Sequence, residues 1–326
     1  MDHNIQLAVS LYSYTQQWVE RNEFSFEEMF MHLSGLGIHQ VEIVGAQMFN
    51  TYPVLKQEEV DQVLRLANDY GMSFCTYDGY TDMGKKSGID MSTREMLREI
   101  EVDIQSAKRL GCQILKTHIP LELLKDVEKL AKLYDIRVGI EIHAPELPGN
   151  EKTQKYIDEI QRLQIEHIGL VPDFGMFILK PNKALINKYI EKGINEELLD
   201  FIIENRFNGY SETTMWEKVR DLGGSDIEKL AVSEMFGYLS WSREADYEGL
   251  KKILPYCIYF HGKFYNIDES RMETTIPYEE LLQIIANYGF KGIIATEYEG
   301  HSFMLDDAME QIERHIEMER EILARF

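Results

Sequence analysis

In the stretch RVGIEIHAPELPG, residues 137–149, a carboxylate and an imidazole stand two residues apart, at Glu141 and His143. Val138, Ile140 and Ile142 alternate as the apolar face of a buried strand, and Pro145 ends it. Alternation places Gly139, Glu141 and His143 on the opposite face, with both polar groups at the strand's C-terminal end. The arrangement recurs in the next three apolar runs. Asp173 ends HIGLVPD, His261 stands near the end of YCIYFHG, and Glu297 stands in KGIIATEYEG, with Glu299 two residues further on the same face. Lys263 follows His261 by two residues and shares its face. On neighbouring strands, Glu141, Asp173, His261 and Glu297 meet at one rim. Carboxylates crowded without a counter-ion raise one another's pKa, and a divalent cation removes that conflict. Three oxygen ligands and one imidazole, with no thiolate, suit Mn²⁺ or Mg²⁺ and also admit Co²⁺, Fe²⁺ or Zn²⁺. An open position on such an ion polarises a substrate carbonyl or hydroxyl. A single strand-end histidine or acid is ordinarily structural; the recurrence on four strands carries the reading.

The elements that must position these residues follow a regular alternation. Short apolar runs at 5–10, 40–45, 72–78, 112–118, the opening stretch within 137–149, 167–173, 256–262 and 291–300 are separated by helical patterns. Ser25 with Glu27 and Glu28 opens the first helix, Ser92 opens a long amphipathic one closed by Gly111, and others are expected over 56–70, 151–163, 278–288 and 305–325. Runs of Val, Ile and Leu between capped helices mean parallel strands with helical crossovers. Eight such units predict an α/β fold, a closed (β/α)8 barrel in one domain over 1–326. An open doubly wound sheet is the alternative, but no G-x-G-x-x-G follows the first strand. One unit is oversized: about 176–254, between strands six and seven, is helical and polar, with Trp216 and Trp241. It is expected as an insertion on the barrel's C-terminal face, either a lid, wall or docking surface, or a decoration with its own small core.

A net charge of −22 on 326 residues excludes phosphate-backbone binding and docking on anionic lipid. No nucleic-acid or membrane partner is expected. Three dispersed cysteines, Cys75, Cys112 and Cys257, suit reduced thiols, and no apolar N-terminal stretch marks a leader, so a cytoplasmic protein is expected.

With IEIH, VPDFG, FHGKFYNIDE and TEYEGH in place, the chain resembles the xylose-isomerase-like TIM barrels of the sugar-phosphate isomerase/epimerase superfamily. The resemblance implies that Glu141, Asp173, His261 and Glu297 are the metal set. Two positions depart from the ketose 3-epimerases: Met176 stands where a histidine follows the strand-six Asp, and Leu147 where a second glutamate is usual. EIHAPE and HGKFYNIDE…IPYEE…EYEGH resemble instead the α subunits of bacterial C-glycoside deglycosidases. This implies a metal-dependent lyase that breaks the sugar–aryl C–C bond of 3-oxo-C-glucosides, with metal on the sugar oxygens at C2 and C3. It implies His143 as acid/base on the phenol, the other roles open to it being a residue that orients Glu141 or a fifth ligand. His118 and Lys263 are implied sugar contacts, Lys263 being also able to pair with Glu299 or Asp268. The resemblance further implies a small β-sandwich β subunit and hence a hetero-oligomer. A metal-dependent ketose or inosose isomerase, epimerase or dehydratase is the alternative, and a non-catalytic sugar-binding barrel a third.

Overall fold

The computed structural model describes residues 4–80, 84–86, 88–238, 241–303 and 307–326 of the chain. Eight strands form a parallel sheet around a barrel: β1 (Asn4–Ser10), β2 (Gln40–Val44), β3 (Ser73–Asp78), β4 (Ile114–Lys116), β5 (Arg137–Ile142), β6 (Ile168–Pro172), β7 (Phe260–Phe264) and β8 (Lys291–Tyr298). Each strand pairs with its sequence neighbour except at two places. β1 pairs with β8, from Asn4 opposite Lys291 to Val9 opposite Thr296. Between β6 and β7 the ladder thins to two parallel bridges, Leu170 with Cys257 and Asp173 with His261. The barrel is thus nearly closed, and its loosest seam runs through two of the predicted ligand residues.

The helices begin and end where the sequence marks them. Ser25 and Ser92 each accept from the backbone N–H three residues on, while Glu28 and Glu95 reach back to the cap. Gly111, at φ +84°, ends the long helix Thr93–Leu110 in the left-handed region that favours glycine. Some features have no counterpart in the sequence reading: short helical turns at Leu11–Tyr14 and Gln16–Glu20, and a two-stranded hairpin, Gly84–Lys86 with Ile89–Asp90. Among the described residues no helix is long and apolar enough to cross a membrane.

The barrel interior changes character along its axis. Ala8, Ile114, Val171, Ile258, Tyr259 and Ala295 form a buried apolar cluster within it. Gly139 lets the strands pack closely there, because a Cβ at this position meets Val171 Cγ2 at 2.5 Å. One strand step toward the C-terminal ends, the inward residues become ionisable. Val171 gives way to Asp173, Ala295 to Glu297, and Tyr259 to His261 and then Lys263, with Ala295 opposite His261 and Glu297 opposite Lys263. Between β6 and β7 the helices Lys183–Glu191, Glu196–Glu204, Glu212–Asp221 and Asp226–Ser233 pack around a separate hydrophobic cluster that includes Tyr189, Ile202, Met215 and Trp241.

Candidate metal centre

Asp173, directly after β6, is fully buried, and its Oδ1 accepts the Gly175 N–H at 2.6 Å. The glycine is required by crowding, since a Cβ there lies 2.8 Å from Asp173 Oδ1 and 3.0 Å from Lys263 Cδ. His261 on β7 is also fully buried; its Nδ1 lies 3.1 Å from Glu141 Oε1 and 3.3 Å from Glu297 Oε2. One ligand atom from each of Glu141, Asp173, His261 and Glu297 falls within 4.8 Å of the other three. Ligands about 2.0–2.6 Å from one divalent cation span at most about 4–5 Å, so this spacing fits an ion at their centre. Asp173 Oδ2, His261 Nδ1 and Glu297 Oε2 are buried and are met only by other charged groups of the cluster, Lys263 for the two carboxylates and Glu141 with Glu297 for the imidazole. Three carboxylates and an imidazole drawn this close form a donor set that suits a divalent ion. All four ligand residues expected from the sequence are therefore brought together, and the cluster can hold a divalent metal.

The electrostatics are those of an anionic pocket. Burial disfavours the charged forms of Glu297 and Glu141, but His261 and Lys263 around the first, and Lys116 and His261 around the second, outweigh it and hold both below the usual carboxylate range. Asp173 differs: burial pushes it up to about 6, with Lys263 opposing and Glu297 and Glu141 adding. Burial lowers His261, yet Glu297 and Glu42 prevail and hold it well above the ordinary imidazole value. Without a dication, protons and ammonium groups must balance the carboxylates.

Lys263 is one of those ammonium groups. Its Nζ lies 2.8 Å from Asp173 Oδ2, 3.2 Å from Glu297 Oε2 and 3.3 Å from Glu299 Oε2. It also lines the open cavity above the cluster. Asp268, the other partner expected from the sequence, pairs with Lys183. Three residues of the site escaped the sequence reading. Glu42 on β2 lies 3.1 Å from His261 Nε2. Lys116 on β4 bridges Asp78 Oδ2 at 3.1 Å and Glu141 Oε2 at 2.8 Å. Burial raises Asp78 to about 7, with Lys116 opposing and Glu42 and Glu141 adding. The signal was present: QVEIVG, MSFCTYD and CQILKTH each carry one charged group in an otherwise apolar run.

The cluster opens into a cavity of about 1230 Å³. Its floor is formed by Asp78, Lys116, Glu141, Asp173, Lys263 and Glu297, and His118, His143 and Pro145 line its side. His118 and His143 are both exposed. The His143 ring stands outside the ligand cluster, its Nδ1 2.7 Å from the Ala144 carbonyl. Only a donor pairs with a carbonyl oxygen, so Nδ1 carries a proton. Ile178, Leu185, Trp241 and Phe303 supply an apolar wall. Trp216 instead packs against the helical cluster, with Lys229 Nζ 5.6 Å from its ring centre. Met176 is buried in the main hydrophobic core, where its side chain completes packing.

A near-closed parallel barrel with carboxylates and an imidazole converging at the C-terminal ends of β5–β8 defines a (β/α)8 protein with a cluster able to hold a divalent metal. The chain belongs to the family of xylose isomerase-like TIM barrels, whose family model matches residues 32–322. It is 27% identical to a 3'-dehydrocarminate deglycosidase alpha subunit of a Microbacterium species, over 94% of this chain and 92% of that protein. It is 24% identical to a C-glycoside deglycosidase alpha subunit of Arthrobacter globiformis, over 92% and 86%. Among solved structures it is similar to a D-psicose 3-epimerase with D-tagatose from Clostridium cellulolyticum H10, with a TM-score of 0.57, 10% identity and coverage of 98% and 99%. A xylose isomerase-like TIM barrel protein from Mycobacterium smegmatis in complex with magnesium gives a TM-score of 0.55 at 11% identity, with coverage of 99% and 97%. At these identities the solved structures speak for the fold alone.

Proposed function

We propose that the protein is a metal-dependent lyase that releases the aryl aglycone from 3-oxo-C-glucosides, as one subunit of a hetero-oligomer. The observation that carries this reading is one cavity with two kinds of wall. A charged, metal-ligating floor suits a keto-sugar, and an apolar wall suits a flat aromatic ring. At about 1230 Å³ the cavity exceeds the about 300–1,000 Å³ usual for small-ligand sites, more than one sugar ring fills. The names of the two relatives point the same way.

A C–C glycosidic bond has no leaving-group oxygen to protonate, so a two-carboxylate glycosidase scheme does not apply. Elimination does. A 3-oxo group acidifies the C2 hydrogen, and the proton lost there balances the one the aryl carbon gains. The C1=C2 bond forms, the C1–aryl bond breaks, and its electron pair stays on the aryl carbon, which takes a proton. No redox partner or water is consumed. A divalent ion, most simply Mn²⁺, held by Glu141, Asp173, His261 and Glu297, supplies Lewis-acid stabilisation of negative charge on the sugar oxygens at C2 and C3. His143 takes the phenolic proton through Nε2, which makes the ring basic at the bonded carbon, and returns it when the ring regains aromaticity. His118 and Lys263 contact the sugar hydroxyls. The helical segment of about 176–254 belongs to the same single domain and walls the aglycone through Ile178, Leu185 and Trp241. The partner is a small β-sandwich subunit.

The test is to supply the native complex, purified through this chain, with a 3-oxo-C-glucoside and separately with free ketoses, with Mn²⁺ and after chelation. Metal-dependent release of aglycone is expected. Turnover of free ketoses alone makes the protein an isomerase or epimerase and discards the lyase.

A further inference from the structure

We infer that Glu42, outside the four ligand residues, is a positioning residue that holds the His261 ring so that Nδ1 faces the metal. The inference rests on the metal reading of the cluster.

Glu42 is fully buried inside the barrel on β2, far in sequence from His261. Both of its carboxylate oxygens lie 3.1 Å from His261 Nε2. The carboxylate is itself held by Tyr259, whose hydroxyl donates to Oε2 at 2.7 Å. The Tyr259 ring also meets the His261 ring edge-on, at 5.5 Å between centres and 64° between planes. One end of the imidazole is therefore fixed by a carboxylate and an aromatic edge. At the other end Nδ1 faces two ligand carboxylates, Glu141 Oε1 at 3.1 Å and Glu297 Oε2 at 3.3 Å. In a neutral ring, a carboxylate on Nε2 keeps the proton there and leaves the Nδ1 lone pair for a cation. It also makes that lone pair a stronger donor. A purely structural role needs only a hydrogen-bond acceptor, which a glutamine supplies without a buried charge. The ring's two ends face different carboxylates, Glu42 behind the ligand set and Glu141 with Glu297 within it.

The experiment uses the full chain, stripped of metal by chelation, in wild-type, Glu42→Gln and Tyr259→Phe forms. Mn²⁺ affinity is read by calorimetry, and thermal melting is followed with and without Mn²⁺. Glu42→Gln is expected to weaken Mn²⁺ binding by about 10–100-fold. Whatever its metal-free melting temperature, the rise on adding Mn²⁺ should shrink. Tyr259→Phe keeps the charge and loses the clamp, so its affinity should fall by less than that of Glu42→Gln. Wild-type affinity in Glu42→Gln overturns the inference, as does a lower metal-free melting temperature with an intact Mn²⁺-induced rise. Should Glu42→Gln not fold, unchanged affinity in Tyr259→Phe overturns it. A wild-type chain that takes up no Mn²⁺ overturns the metal reading itself, and the inference with it.

Discussion

Two fully buried histidines flank β8, and they are in opposite states. His261, inside the barrel, is held well above the ordinary imidazole pKa because Glu297 and Glu42 outweigh burial. His315, on the C-terminal helix Ala308–Leu323, packs against the outer side of the strand, its ring stacked 4.1 Å from Phe264. Burial alone pushes His315 down to about 3. The glutamates divide in the same way. Glu297 is held down by its cationic neighbours after burial has opposed them, whereas burial pushes Glu319 well up. Thr296 Oγ1 joins the outer pair, 3.1 Å from His315 Nδ1 and 3.3 Å from Glu319 Oε2. The next residue along β8, Glu297, points inward. With one carboxylate beside the ring and Arg320 only partly offsetting burial, desolvation wins and both groups stay neutral; with several carboxylates facing one ring, Coulomb attraction wins. What separates site from scaffold is how many charges meet, since the residue types are the same.

The contrast is broken most directly by making one substitution in both places. Glu297→Gln should lower Mn²⁺ affinity by more than the about 10–100-fold typical of losing a group behind a ligand. Glu319→Gln should leave Mn²⁺ affinity unchanged and raise stability in denaturant unfolding at pH 7. Because the folded-state pKa of Glu319 lies above its unfolded value, folding takes up a proton once pH exceeds the unfolded pKa, and glutamine avoids that cost. Equal Mn²⁺ affinity in the two variants erases the distinction.

His143→Ala comes next. It should cut the kcat for aglycone release by about 10²–10⁴-fold while Mn²⁺ and substrate still bind. Unchanged turnover removes His143 from the chemistry.

The third test is pH. The folded-state pKa of His315, about 3, lies below the unfolded value of about 6.5. The unfolded chain therefore takes up the proton first, and stability falls as pH drops below about 6.5, by about 1.4 kcal/mol per unit until the folded pKa is reached. Wild type should lose about 2 kcal/mol relative to His315→Gln between pH 7.5 and pH 5 in urea unfolding. A wild-type minus variant difference that is flat across this range contradicts a neutral His315. The smallest effect is expected from Thr296→Val, which removes the hydroxyl between His315 and Glu319. About 1–2 kcal/mol should be lost, with Mn²⁺ affinity intact.

Much of the fold was legible because its signals are local. Ser25 with Glu28 and Ser92 with Glu95 mark helix starts within four residues, and strand alternation needs only a neighbour two positions away. The same local rule located Glu141, Asp173, His261 and Glu297, once each was placed at the end of its own strand. Lys263 was assigned to the right face, but its expected partners Glu299 and Asp268 could not be ranked, and its contacts with Asp173 and Glu297 were not foreseen. Trp216 and Trp241 were equivalent in sequence; packing puts both at the helical cluster and only Trp241 also at the cavity wall.

By itself the amino-acid sequence determined the eight β-α units, the side of each strand its residues face, and hence which acids and imidazole stand at the barrel mouth. Only the tertiary structure decided that Glu42 stands behind His261, that Lys116 ties Asp78 to Glu141, and that His315 with Glu319 stays uncharged. The first kind of fact follows from backbone periodicity over a few residues. The second depends on barrel closure, which brings Glu42 to His261 from 219 positions away, and on the number of charges that closure gathers around each buried group.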